Sequence, residues 1–254
     1  MPAVDLAASP GLALALLGVA GVFAGIVNAL AGGGNFLILP LLVALGLPST
    51  VANGTSRVGV VLQGIASTWA FEREAIGEWR ITLRLALPMT AAALAGAALA
   101  TRLDEALFRP LIGVILLVWA VALAFRPGRF LRAPPAPQPP SWRSDLASVA
   151  IGVYGGFLQA GVGFPLLALL VPGLGYPPVI ANAIKVRVVL IYSALALPVF
   201  ASAGHVAWRE GLVLAAGTAL GGWLGARWQI RAGAGLVRWA TLVMVAVGGV
   251  MMLR

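Results

Sequence analysis

The sequence predicts an all-α integral membrane protein made of two inverted repeats, each of about five helical segments and each containing short broken helices. Three observations carry that prediction. The chain is too apolar and too poor in charge for a soluble domain. Its apolar runs have the length of membrane-crossing helices. Its second half repeats the first at a constant offset of 129 residues.

Of 254 residues, 61% are hydrophobic and 10% charged, against about 25% charged in a soluble domain; mean hydropathy is +0.99. Apolar runs recur at residues 12–30, 81–100, 106–125, 179–200, 211–226 and 236–253. Each approaches the ~20 residues that a helix needs to cross about 30 Å of hydrocarbon. None alternates with the period of two that a barrel strand requires, so the spans are helical. The first ten residues lack the basic start of a signal peptide, so the first run is expected to stay as a membrane helix.

The repeat orders the rest. Ala31-Gly32-x-Gly34 matches Ala160-Gly161-x-Gly163, and Gly46-x-Pro48 matches Gly175-x-Pro177. Ala52-Asn53 matches Ala181-Asn182, Trp79-Arg80 matches Trp208-Arg209, and Gly96-Ala97 matches Gly225-Ala226. Arg102 and Arg109 match Arg231 and Arg238, all without a gap. Glycine and alanine coincide cheaply in this composition, whereas the Trp-Arg, Asn and Arg pairs do not. The first half holds segments 12–30, 36–47, 51–71, 81–100 and 106–125, and the second holds 146–160, 164–171, 179–200, 211–226 and 236–253. The domains are therefore repeat 1 (1–125), a Pro- and Arg-rich linker (126–145) read as extended, and repeat 2 (146–254).

Charge decides whether the halves are inverted. Net charge is +9, and the basic residues gather at segment ends, which points to membrane topology rather than to nucleic acid. With the linker in the cytoplasm, five segments per half put twelve basic residues inside and five outside; four per half give nine against eight. The rule that cytoplasmic loops are richer in Lys and Arg favours five, hence inverted halves with both termini outside. Segment 36–47, at 12 residues, extends about 18 Å and cannot span alone. It must reach partway and end inside the bundle, where irregular backbone is tolerated if buried or lining a cavity. Short, Gly-interrupted segments at matching places in two inverted halves are the sequence signature of a transporter's binding site.

Other classes fall away. There is no cysteine and one histidine, His205, so no disulfide, His/Cys metal centre or cofactor is expected. The eight acidic residues lie near segment ends, leaving no carboxylate relay in mid-membrane. No glycine run has the phosphate-loop pattern. An enzyme would need a nucleophile–base set or metal site that these residues do not supply.

The stretches "ALAGGGNFLILPLLVALGLPSTVANGTS" and "FLQAGVGFPLLALLVPGLGYPPVIANAIK" resemble the sulfite exporter TauE/SafE family of bacterial membrane proteins. The resemblance covers nearly the whole chain, and departs from the glycine run in the second half, where Gly161-Val162-Gly163-Phe164-Pro165 stands. It implies a multi-pass protein of the bacterial cytoplasmic membrane that exports small anions, sulfite or organosulfonates such as sulfoacetate. An anion channel, or a permease for sulfate or thiosulfate, is the alternative. The partners expected are a small anionic substrate and the lipid bilayer, with no nucleic acid; a homodimer is left open.

An oxyanion in low dielectric needs hydrogen-bond donors and positive potential. Gly32, Gly33, Gly34 and Asn35 precede a helix start, where free N–H groups favour an anion; Gly161 and Gly163 are their counterparts, and close helix packing is the competing reading. Asn53 and Asn182 either cap the helices they open or donate to the substrate. Thr55 and Ser56 add hydroxyls in the first half. Lys185 and Arg187 lie in a long apolar segment with no acidic residue between 146 and 209, so they read as functional charges or as anchors reaching the interface. Arg57 is a gate charge or an interface anchor. Gln159, counted with the site, is like Asn28 and Gln63 a lone polar residue in an apolar run, suited to an interhelical hydrogen bond or a ligand.

Overall fold

The structure, a computed structural model, describes residues 10–125 and 136–232. Among these the chain is helical, without a strand. The order is α1 (Pro10–Ala31), α2 (Asn35–Ala44), α3 (Ser49–Glu72), α4 (Trp79–Ala100), α5 (Glu105–Phe125), α6 (Trp142–Phe157), α7 (Gly163–Ala168), α8 (Pro178–Ser202) and α9 (Trp208–Ala232). A π-helical turn, Leu169–Gly173, continues α7. Gly11–Ala31, Trp79–Ala100 and Pro178–Ser202 are each long and apolar enough to cross a membrane.

The offset in the sequence reappears in the elements: α3 and α8 start at Ser49 and Pro178, α4 and α9 at Trp79 and Trp208. The residues before α3 and α8 are both prolines with nearly the same backbone, φ −53°, ψ 145° at Pro48 and φ −55°, ψ 144° at Pro177. A proline fixes φ near −65° and offers no N–H, so the chain enters each helix from an extended approach. Residues 142–145, counted with the linker on sequence grounds, already form the first turn of α6, with a reciprocal cap between Ser141 and Ser144. Segment 236–253, residues 1–9 and linker residues 126–135 lie outside the described residues.

Helix directions follow from which residues meet. Gly21 and Gly25 of α1 face Leu214, Gly217, Thr218 and Gly222 of α9, and Gly59 and Gly222 bring α3 beside α9, so these three helices run the same way. Gly152 and Gly156 of α6 lie against Met89 and Ala93 of α4, which run together. α8 runs opposite to α3: Gly54 meets Phe200, while Gly64 meets Leu190. The α1–α9 approach is close enough that a Cβ on Gly221 would stand 2.0 Å from the Val22 carbonyl oxygen. Lipid tails give helices no hydrophobic reason to associate, so small residues and the backbone contact they allow do that work. Phe23, Leu87, Leu107 and Val118 remain exposed on the outside, as a lipid-facing surface requires.

Among the described residues, arginines are unequal between the ends of the bundle. Where α3 and α9 finish and α4 and α6 begin, Arg73, Arg80, Arg84, Arg143, Arg227 and Arg231 gather. Arg84 pairs there with Asp145 at 3.0 Å. The opposite end carries Arg102, Arg109 and Arg209.

Candidate functional site

The two breaks meet. α1 stops at Ala31 and α2 begins at Asn35; α6 stops at Phe157 and α7 begins at Gly163. Gly32 has φ +82° and Gly161 φ +74°, left-handed backbone that glycine adopts without strain. A Cβ on Gly32 would lie 2.4 Å from the Gly163 Cα, and one on Gly163 the same distance from the Gly32 Cα. The breaks therefore touch backbone to backbone, and the Phe36 and Phe164 rings stack beside them at 6.0 Å.

A helix that ends inside an apolar bundle leaves its last carbonyls without partners. Each half supplies the partners for the other. In α8, Lys185 Nζ donates to the carbonyls of Asn28 (3.1 Å) and Ala29 (3.2 Å), and Asn182 Nδ2 to that of Leu30 (2.8 Å), all in the last turn of α1. In α3, Arg57 Nη2 donates to Gly155 (3.1 Å) and Gly156 (2.5 Å), and Asn53 Nδ2 to Phe157 (2.8 Å), in the last turn of α6. A cation at a helix C-terminus also opposes its partial negative charge, contributing up to ~2 kcal/mol where partly buried. Arg57 and Lys185 are 0% and 2% exposed, so neither is an interface anchor. The Arg57 guanidinium further lies 4.3 Å above the Phe200 ring.

Between the breaks is a cavity of about 20 Å³ whose polar lining is Asn28, Gln63, Gln159 and Lys185, closed by Gly32 and Gly163. That is space for about one water. Asn28 Nδ2 donates to Gln63 Oε1 at 2.7 Å. Gln159 Oε1 accepts from Arg57 Nη1 at 2.9 Å, and its Nε2 donates to Tyr192 Oη (3.0 Å) and Ser193 Oγ (3.1 Å). Lys185 has three donors, and two go to carbonyls.

Of the residues that the sequence singles out, Gly32, Gly163, Gln159 and Lys185 line this cavity, with Arg57 behind Gln159. Asn53 and Asn182 do not cap their own helices. Pro48 and Pro177 hold the cap positions, and the first N–H groups of α3, from Ser49 and Thr50, reach the Glu105 carboxylate at 2.8 and 3.2 Å. Gly34 donates its N–H to Asn28 Oδ1 at 3.4 Å, and Asn35 Nδ2 donates to Ser56 Oγ at 3.5 Å. Gly33 completes the first break, and Gly161 packs on the Phe36 ring. Thr55 Oγ1 accepts the Ala207 N–H at 2.9 Å, away from the cavity.

Arg187 corrects an expectation. No acidic residue is near it in sequence, yet Arg187 Nη2 pairs with Glu72 of the first half at 2.6 Å and donates to the Ile76 carbonyl at 2.8 Å. Its guanidinium also lies 4.9 Å above the Trp79 ring. It ties the α3–α4 turn to α8 rather than facing the cavity. Sequence reasoning missed Tyr192 and Ser193; nothing in an apolar helix with scattered hydroxyls marks them as partners of Gln159.

Paired broken helices that cap one another around a small polar cavity define a class, the multi-pass helical membrane transporter. The chain belongs to the sulfite exporter TauE/SafE family, whose model matches residues 17–252. It is a membrane transporter and not an enzyme. A protein of Haemophilus influenzae named "Probable membrane transporter protein" is 26% identical over 235 residues, 91% of this chain and 91% of its own length. A protein of Sinorhizobium sp named "Probable membrane transporter protein ORF9" is 26% identical over 234 residues, 92% of this chain and 89% of its own. No solved structure matches.

Proposed function

We propose that the chain is a secondary transporter that exports small sulfur-containing anions, sulfite or an organosulfonate of the sulfoacetate kind, by alternating access around the cavity between two inverted repeats. The observation that carries the reading is the cavity itself. It lies where two broken helices meet, its one cation is Lys185, and the donors beside it are amides. No carboxylate lines it, which favours an anion over a cation. With two Nζ protons on carbonyls, the third is free to donate to an oxyanion, joined by the Gln63 amide, whose Oε1 is engaged by Asn28.

Inversion is supported by the opposite directions of α3 and α8, which are repeat equivalents, and by the reciprocal capping. The cavity is too small for a sulfonate as it stands, which favours a closed state that must open to one side at a time over an open channel. The Arg-rich end, placed in the cytoplasm by the positive-inside rule, puts the described linker residues inside. The membrane is then the bacterial cytoplasmic membrane, where an inside-negative potential favours anion exit by ~2.3 kcal/mol per charge per 100 mV.

The test is flux from proteoliposomes loaded with sulfite or sulfoacetate under an imposed potassium diffusion potential. Saturable efflux that grows as the inside becomes more negative is expected. Lys185→Met removes a charge-assisted donor worth about 1.5–3 kcal/mol and should slow efflux at least about tenfold. Efflux absent for both anions at every potential would sink the substrate assignment.

A further inference from the structure

A second pocket lies away from the central cavity, at the end of the bundle where α3 and α9 finish. It measures about 240 Å³ and is lined by Ala70, Arg73, Glu74, Arg227, Ile230 and Arg231. Three guanidinium groups share it with one carboxylate. The α3 and α9 termini each add about half a negative charge and Glu74 a full one, which the three guanidinium groups still exceed. The ion pairs formed among the described residues engage Arg84 and Arg187 instead.

Two of the three arginines are held ready. Arg73 lies 4.1 Å above the Trp69 ring and Arg227 4.9 Å above the Trp223 ring. A guanidinium held over an aromatic ring keeps N–H groups for an acceptor, and its planar fork matches the oxygens of a phosphate. The volume is below the ~300 Å³ of drug-sized sites and suits one small charged group. Trp69 of α3 and Trp228 of α9 are half-exposed, as tryptophans are at the level of lipid headgroups.

We propose that this pocket binds a phosphate-type oxyanion, presented either on the headgroup of an anionic phospholipid or as free phosphate. The site is independent of the transported anion and does not require the substrate assignment to hold.

The experiment uses the full chain, purified in a neutral detergent, with its melting temperature followed against short-chain phosphatidylglycerol, short-chain phosphatidylcholine and inorganic phosphate. A saturable rise with phosphatidylglycerol and none with phosphatidylcholine is expected. A rise with inorganic phosphate as well assigns the site to a phosphate whose negative charge no cationic headgroup offsets; a rise with phosphatidylglycerol only assigns it to the lipid. Arg227→Gln and Arg231→Gln should each weaken the apparent affinity about fivefold, the equivalent of ~1 kcal/mol per basic residue. Arg227→Lys should fall between, and Arg209→Gln, at the opposite end, should leave the affinity unchanged. Should a Gln variant fold poorly, native mass spectrometry of the unaltered chain gives a second reading, in which phosphatidylglycerol should be retained and phosphatidylcholine lost. No response to either anion, or an equal loss with Arg209→Gln, would overturn the proposal.

Discussion

Lys185 sits where two demands meet. Its ammonium closes the last turn of α1 and lines the cavity, so removing it should cost both stability and flux. Replacing it by alanine removes the side-chain donor of the Ala29 carbonyl and leaves the Asn28 carbonyl with the Gly32 N–H alone, and an unmet buried group costs about 1–3 kcal/mol. The expected result is a lower melting temperature in detergent for Lys185→Ala, with Lys185→Arg closer to the original. An unchanged melting temperature for Lys185→Ala would refute the capping role. Gly163 makes a complementary test. Its Cβ would enter the space of Gly32, 2.4 Å from the Cα, and overpacking of this kind costs typically about 1–3 kcal/mol. Gly163→Ala should therefore destabilise the fold and impair transport, whereas Gly113→Ala, with nothing within 4 Å, should do neither. The glycines were legible as a break from sequence, because they interrupt an apolar run twice at one spacing. The capping was not, because Arg57 and Gln159 are 102 residues apart, and Lys185 and Ala29 are 156 apart.

At the scale of elements, the entry into α3 depends on another helix. Glu105, the first residue of α5, accepts the N–H groups of Ser49 and Thr50, the role that a local Ser or Asp plays at most helix starts. Asn53, on sequence grounds a candidate either for that cap or for a substrate donor, lies a full turn inside α3 and serves α6 instead. Glu105→Ala should lower stability by about 0.5–2 kcal/mol, the usual range for loss of a cap, measured as thermal unfolding in detergent. No change would show that water satisfies those N–H groups equally well. The turn between α3 and α4 is held by a different device. Gly77 has φ +106° and lies so near Arg187 that a Cβ would stand 2.1 Å from Nη1. Gly77→Ala should both strain the backbone, by about 1–3 kcal/mol, and push Arg187 from Glu72. Retention of the original melting temperature in this variant would contradict that account.

For the whole molecule, helical class and repeat length were readable from hydropathy and self-comparison, since both are carried by many residues at once. Direction was readable only through charge, and charge is a statistical signal. The geometry sharpens it into a single comparison. Trp79-Arg80 and Trp208-Arg209 are the same dipeptide at the same place in each half, and they open α4 and α9. Inverted halves put these two arginines on opposite sides of the membrane; parallel halves put them on the same side. The chain has no cysteine, so a single introduced thiol reports without background. In right-side-out vesicles, a membrane-impermeant maleimide should label Arg209→Cys directly. Arg80→Cys should react only after permeabilisation, because the end that holds Arg80 also gathers Arg73, Arg84, Arg143, Arg227 and Arg231 and should face the cytoplasm. Labelling of both from outside, or of neither, would refute inversion. Labelling of Arg80→Cys alone would keep the inversion and reverse the orientation, which would separate the repeat relation from the charge rule that first pointed to it.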